Sequence, residues 1–216
     1  MKNLTDLIEF RTKKLAGVQD DRWMWPKADK GAYAGPFTDW DNSHIHKYFK
    51  NVKQKRLVVT AGANMGLYVR AYANMFDHVW AFEPHWVNFY CMSYNCPYDN
   101  VYKFQAALGE NTTQCNFQNS NPTTNMGAYR IKDDAPEKSI PMMALDDLNL
   151  PYVDLIQLDI EGYEGWALKG GQKTIEKHKP VIIVENARPP SADVLSGLGY
   201  VLQEKSISDQ IYYIPQ

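Results

Sequence analysis

From Arg56 onward the chain alternates short apolar runs with stretches of helical periodicity. Leu57-Val58-Val59 runs into Thr60, Val79-Trp80-Ala81-Phe82 into Glu83, Val153 to Leu158 into Asp159, and Val181-Ile182-Ile183-Val184 into Glu185. A fifth run, Val101 to Ala107, closes near Gln105–Ala107. Leu67 to Phe76 fills the first gap with an amphipathic pattern, and His85 to Asn95 fills the next. Apolar strands alternating with helical segments of about 10–15 residues predict βαβ units and an α/β fold on a parallel sheet. The ends at Thr60, Glu83, Asp159 and Glu185 are 23, 76 and 26 residues apart. The first and last intervals hold one strand–helix repeat each. The excess in the middle, Glu110 to Pro141, is rich in Asn, Thr, Gln and Asp and predicts extra strands or a long inserted loop. Gly199-Tyr200-Val201-Leu202 and Ile211-Tyr212-Tyr213-Ile214 predict a terminal antiparallel hairpin turning near Ser208-Asp209-Gln210.

Residues 1–50 have a different texture, so the chain divides into an N-terminal extension and a core over 51–216 within a single domain. Leu4, Leu7, Ile8 and Leu15 have roughly helical spacing and predict a short amphipathic helix. Asp20 to Trp40 is irregular, with Pro26, Gly31, Gly35 and Pro36 as turn signals. A second helix is predicted from about Asn42 to Lys50, capped by Asn42 or Ser43.

Composition narrows the classes. At 216 residues and 44 % hydrophobic content the chain can bury a full core, which excludes a disordered protein. Its formal net charge of −2 argues against nucleic acid as a partner held through phosphates. No apolar run approaches the roughly 18 residues that span a bilayer, and the charged N-terminus lacks a signal-peptide core. Cys91, Cys96 and Cys115 form no C-x-x-C pair, so reduced thiols and a cytoplasmic setting are expected.

In an open parallel sheet, ligands bind beyond the carboxyl ends of the strands. That crevice would receive Thr60 with the Gly62 loop, Glu83, Asp159 with Glu161, and Glu185 with Asn186; for any one of them the alternative is a solvated loop residue. The first loop, Thr60-Ala61-Gly62-Ala63-Asn64-Met65-Gly66, has the small residues that let backbone approach a ligand, but it is neither G-x-G-x-x-G nor a phosphate loop. Glu83 follows Gly62 by 21 residues, where a carboxylate can accept both hydroxyls of a ribose. A nicotinamide-dependent oxidoreductase could use this geometry, yet no tyrosine has lysine four residues on, as the short-chain class requires. A non-catalytic Rossmann-like binding module is the third alternative.

Val58 to Gly66, Ala81-Phe82-Glu83-Pro84, Leu158-Asp159-Ile160-Glu161-Gly162-Tyr163-Glu164 and Pro180 to Glu185, in that order, resemble the FkbM family of S-adenosylmethionine-dependent methyltransferases. Asn95, Gln105-Ala106-Ala107-Leu108-Gly109 and Asn125-Met126-Gly127-Ala128 are also similar to the family pattern, and the likeness spans about Arg56 to Tyr213. The resemblance implies a Rossmann-like class I methyltransferase fold, with a mostly parallel seven-stranded sheet and a C-terminal antiparallel hairpin. It implies S-adenosylmethionine held by Thr60, Gly62, Ala63, Asn64, Gly66, Glu83, Pro84, Gln105, Ala106, Ala107 and Asp159. The glycine loop would lie on the methionine part, Glu83 on the ribose and Gln105–Ala107 beside the adenine. It further implies O-methylation of a sugar, a glycan or a related small molecule. Thr60 departs from the family, which usually has an acidic residue there, and this predicts that Thr60→Asp would strengthen cofactor binding.

Methyl transfer to a hydroxyl needs in-line positioning and a base. Asp159 and then Glu161 are the candidate bases, with His85 and Tyr163 behind them; Glu161 could equally serve the N-terminus of the following helix. Asp159, Glu185 and Asn186 also offer three oxygen ligands of the kind Mg²⁺ accepts. His44-x-His46 lacks a third zinc ligand in sequence. Lys47, Lys50, Lys53, Lys55 and Arg56 are either a solvated face or a patch for an acidic acceptor. Trp23, Trp25, Trp40 and Tyr33 are either an acceptor platform or the core of a lid.

Overall fold

The computed structural model describes residues 3–13, 21–30, 51–119, 125–132, 139–185, 189–205 and 209–215. Its centre is a sheet of β3 (Leu57–Ala61), β4 (His78–Phe82), β5 (Val101–Phe104), β10 (Leu155–Leu158), β11 (Val181–Glu185), β12 (Val201–Lys205) and β13 (Asp209–Tyr213), in the order β12-β13-β11-β10-β3-β4-β5. The pairs joining β11, β10, β3, β4 and β5 are parallel, and β13 joins antiparallel to β11 and to β12. The expected seven strands and terminal hairpin are both present. Asp209 and Gln210 belong to β13 rather than to the turn, and the turn itself (206–208) lies outside the described residues.

The apolar runs are continuous because both faces of the inner strands are covered. On one face Leu57, Val59, Ile156 and Ile182 pack with residues of α4 (Glu164–Lys169), α5 (Gln172–His178) and α6 (Ser191–Gly197). On the other, Val58, Val79, Leu155 and Ile183 pack with α2 (Leu67–Ala73) and α3 (Trp86–Asn95). A four-stranded sheet, ordered β6-β9-β7-β8, fills the long interval; its strands are β6 (Ala107–Leu108), β7 (Thr113–Asn119), β8 (Tyr129–Lys132) and β9 (Ile140–Met143). The insertion is therefore extra strands, and a 3-10 turn at Leu145–Leu148 leads back to β10.

Three boundaries differ from expectation. The helix α1 covers only Leu4–Leu7, after which β1 (Ile8–Lys13) pairs antiparallel with β2 (Asp21–Pro26). The alternation Glu9-Phe10-Arg11 carries that strand, while the leucine spacing suggested a helix; Leu15 lies outside the described residues. β2 occupies part of the stretch expected to be irregular; its Trp23-Met24-Trp25 are all buried, so no polar alternation marks it. β5 ends at Phe104, and Ala107 opens a different sheet. The helix expected over Asn42–Lys50, together with Tyr33, Trp40, His44, His46, Lys47 and Lys50, lies outside the described residues.

Candidate active site

β3 leads into a turn whose backbone is tied to the neighbouring strand, because Gly62 N–H and Ala63 N–H both donate to the Phe82 carbonyl at 3.1 and 3.0 Å. Gly62 has φ +77°, and a Cβ there would sit 1.8 Å from the Asp159 carbonyl oxygen. Only glycine lets this turn meet the β10 loop so closely. Asn64 is also left-handed at φ 51°, which aims its N–H at Glu83 Oε2, 2.8 Å away. Gly66 precedes α2 at φ 92°.

Glu83 is buried, and its second oxygen accepts the His85 N–H at 2.9 Å. Loss of water raises its pKa to about 7, against the lowering effect of these two bonds and of the Asn88 amide. His85 is buried too, and its pKa falls to about 4 because the charged imidazolium would be desolvated. Three of the four buried side-chain atoms without a partner among the described residues lie in this group: Asn64 Oδ1, His85 Nδ1 and Asn88 Oδ1. Buried polar atoms are normally satisfied, so a concentration of orphans around one carboxylate points to a missing ligand. Pro84 is half-buried between Glu83 and His85.

Other predicted cofactor residues fall differently. Thr60 does not end its strand; it is 1 % exposed, and its hydroxyl donates to Gln157 Oε1 at 2.8 Å, where Tyr72 Oη also donates at 3.1 Å. Its side chain faces the core, because β3 continues to Ala61 and Thr60 stands opposite Gln157 in register. Gln105 is exposed beyond the end of β5, whereas Ala106 and Ala107 are buried.

The β10 loop carries the acidic residues. Glu164 is buried, and its Oε1 accepts the N–H groups of Ile160 at 3.0 Å and Gly162 at 3.1 Å. Glu164, not Glu161, therefore organises this loop. Glu161 has φ 57°, and its Oε2 lies 3.8 Å from the Arg130 guanidinium. Desolvation, then Glu185, Glu161 and Asp209, hold the Asp159 carboxyl well above the usual carboxylate range. Asp159, Glu161 and Glu185 place carboxylate oxygens within 4.8 Å of one another. Glu161 thus stands where Asn186 was expected, and Asn186 lies outside the described residues. Like charges at this spacing add to the desolvation that raises the Asp159 pKa, and no Mg²⁺ is assigned to them.

The N-terminal hairpin and the inserted sheet meet over Glu83. Trp23 and Trp25 are 5 % and 1 % exposed and pack with Met65, Val87 and Cys91 as the core of a lid, not as an open platform. Asn95 fastens that lid: its Oδ1 accepts the Met24 N–H at 2.8 Å, and its Nδ2 donates to the carbonyls of Met24 and Met65. Asp29 accepts from Trp25 Nε1 at 2.7 Å and from Met126 N–H at 3.0 Å, and Asn88 Nδ2 donates to the Met126 carbonyl at 2.8 Å. His85 stacks on Tyr129 with ring centroids 4.2 Å apart, and Phe117 closes on both rings. Sequence reasoning missed Asn88, Asp29, Phe117 and Tyr129. Asn88 alone had a local signal, one helical turn after His85.

A mostly parallel seven-stranded sheet, with a glycine turn after β3 and a buried carboxylate after the neighbouring β4, defines a class I methyltransferase fold. The Methyltransferase FkbM domain profile matches residues 61–203, and the chain belongs to that family of methyltransferases, for which S-adenosylmethionine is the expected cofactor. Solved structures agree on the fold. A methyltransferase FkbM from Methylobacillus flagellatus KT superposes with TM-score 0.54 at 19 % identity, over 80 % of this chain and 50 % of that one; the chain thus spans about half of that protein's length. A precorrin-6y C5,15-methyltransferase from Geobacter metallireducens GS-15 gives 0.51 at 13 %, covering 85 % and 92 %. The 16S rRNA N2 G1207 methyltransferase of T. thermophilus, in complex with AdoMet and guanosine, gives 0.53 at 10 %, covering 97 % and 51 %. No curated protein matches the chain.

That third structure corrects one expectation. Near-neutral charge argues against a nucleic-acid partner, but the same fold serves an rRNA methyltransferase, so net charge is no ground for that expectation. Among the described residues no helix is long and apolar enough to cross a membrane.

Proposed function

We propose that this protein transfers the methyl group of S-adenosylmethionine to a hydroxyl of a sugar, a glycan or a related small molecule, residues 51–216 forming the core and 1–50 an extension of one domain. The observation that carries the reading is the cluster around Glu83: a buried carboxylate beside the glycine turn, ringed by orphaned atoms of Asn64, His85 and Asn88. These residues fit the donor. Glu83 would accept the two ribose hydroxyls, the Gly62–Gly66 turn would follow the methionine part, and Ala106 and Ala107 would border the adenine. Gln105 is left out because it is exposed. The bound cofactor supplies a methyl already activated on a sulfonium.

The chain's own residues then have two tasks. The turn and the β10 loop, in contact at Gly62 and Asp159, fix where donor and acceptor meet; such orientation is worth roughly 7–11 kcal/mol of barrier. Asp159 would take the acceptor's proton in its ionised form, contributing about 10²–10⁴-fold. Glu161 stands beside it as the second candidate.

A thermal-shift panel of S-adenosylmethionine, S-adenosylhomocysteine, NAD and NADP tests the donor, and a tritiated methyl-transfer screen over sugars, glycans, phenols and an RNA oligonucleotide tests the acceptor. A shift with the two adenosyl compounds and label on a hydroxyl oxygen are expected. A shift with NAD alone, or label on a nucleobase, would overturn the reading.

A further inference from the structure

A groove of about 240 Å³ opens between α4 and the strand of chain that leads into β7. One wall is aromatic: Tyr163 and Trp166 have ring centroids 6.2 Å apart, tilted by 37°. The other is polar, made by the exposed residues Glu110, Asn111, Thr113 and Gln114, and Met142 closes the base. We infer that this groove seats one sugar ring of the methyl acceptor, an assignment that rests on the proposed sugar O-methylation.

Four observations carry it. First, Trp166 is 37 % exposed on a helix whose Glu164, Gly165, Ala167 and Leu168 are all buried, so its indole stands outside the core packing. Second, among the described residues no hydrogen bond engages the side-chain amides of Asn111 or Gln114, which leaves donors and acceptors ready for hydroxyls. Flat apolar rings facing amides, a hydroxyl and a carboxylate match a pyranose, which presents C–H faces and a hydroxyl rim. Third, the volume is below the roughly 300–1,000 Å³ of sites for drug-sized ligands, so the groove suits a single ring and not a nucleoside donor with its amino-acid tail. Fourth, Tyr163 lies on the same loop as Asp159 and Glu161, and α4 ends at Gly170, where a Cβ would meet the Gly109 carbonyl oxygen at 2.0 Å. The two walls are thus held together, and one of them is continuous in chain with the loop of the proposed base.

The groove also discriminates. Glu110 disfavours phosphate on the polar wall, while the Lys169 ammonium covers one face of the Trp166 ring, 4.1 Å from its centroid, and leaves the other for the ligand. Two rings tilted against each other do not make the parallel slot that a planar nucleobase needs.

The test is saturation-transfer-difference NMR on the full chain saturated with S-adenosylhomocysteine. Its probes are methyl glycosides of glucose, galactose, mannose and N-acetylglucosamine, with a uridine trinucleotide for comparison. At least one glycoside is expected to bind. Affinity should fall about tenfold or more in Trp166→Ala, drop several-fold in Gln114→Ala, and stay within about threefold of wild type in Trp166→Phe. Binding of S-adenosylhomocysteine by calorimetry should be unchanged in all three, which reports intact folding. No glycoside bound, binding indifferent to Trp166→Ala, or preference for the trinucleotide would each overturn the assignment. Tritium transfer onto a sugar by a Trp166→Ala protein with unchanged KM would sink the groove and leave the proposed function standing. A glycoside held in the groove while label reaches no hydroxyl would sink the proposed function and, with it, the acceptor role assigned to the groove.

Discussion

Two buried polar clusters lie on neighbouring strands, and they are built on opposite principles. Thr60, Tyr72 and Gln157 form the first: two hydroxyls converge on one amide oxygen, at 2.8 and 3.1 Å, sealed in the sheet. Glu83, His85, Asn88 and Asn64 form the second, where a carboxylate is buried and three side-chain atoms have no partner among the described residues. Satisfied polar groups specify packing, whereas unsatisfied ones cost stability unless something binds them. The difference marks the second cluster as the candidate ligand site without reference to a motif, and it sets Thr60, expected among the cofactor residues, in the first.

The largest expected effect is on the first cluster. Gln157→Leu leaves the Thr60 and Tyr72 hydroxyls without their shared acceptor, and urea unfolding should show a loss of about 2–4 kcal/mol. Calorimetry on the folded variant should find S-adenosylmethionine affinity little changed; a large loss would merge the two clusters into one.

Glu83→Gln attacks the second cluster. Removing a charged acceptor should weaken S-adenosylmethionine by about 1.5–3 kcal/mol, or roughly ten- to a hundredfold. An unchanged dissociation constant would leave the orphaned atoms unexplained.

The ligand-free protein should also become less stable as pH rises from 6.5 to 8. Glu83 binds its proton up to about pH 7 when folded but only to about 4.5 when unfolded, so the folded state loses stability across that window. His85 works the other way, since its pKa falls from 6.5 to about 4 on folding and stability is lost as pH drops through that range. The two effects offset each other between pH 4.5 and 6.5. Above that, the Glu83 loss of about 1 kcal/mol should show in denaturant midpoints and disappear in Glu83→Gln. A flat wild-type profile above pH 6.5 would contradict the burial argument.

Tyr72→Phe deletes one of the two donors to Gln157 and should cost about 1 kcal/mol in urea. Arg130→Ala, on the exposed 3.8 Å pair with Glu161, is the control at the small end, within about 0.5 kcal/mol.

The parallel sheet was legible because its strands are mostly apolar and three of them run into acids, Glu83, Asp159 and Glu185, a pattern that survives without knowledge of what covers them. Glu83 and the glycine turn were legible for the same reason: their spacing follows from one βαβ unit. Thr60 was misread because a strand end is uncertain by one or two residues, and a shift of one residue moves a side chain from crevice to core. Asp29, Phe117 and Tyr129 could not have been found locally. They reach the site from the N-terminal hairpin and the inserted sheet, through pairings such as Asp29 with Met126 across 97 positions of chain. The N-terminal hairpin was hidden because Trp23, Met24 and Trp25 are all buried, which erases the alternation that marks a half-covered strand.

The missing side chain at Gly62 also limits how this enzyme can change. With the Asp159 carbonyl where a methyl would have to go, the turn proposed to cradle the donor and the loop of the proposed base are in direct contact. A variant that widened the cradle to admit a bulkier donor would push Asp159 by the same amount. On the proposed reading, selection for a new methyl source would therefore have to rebuild acceptor chemistry in the same step.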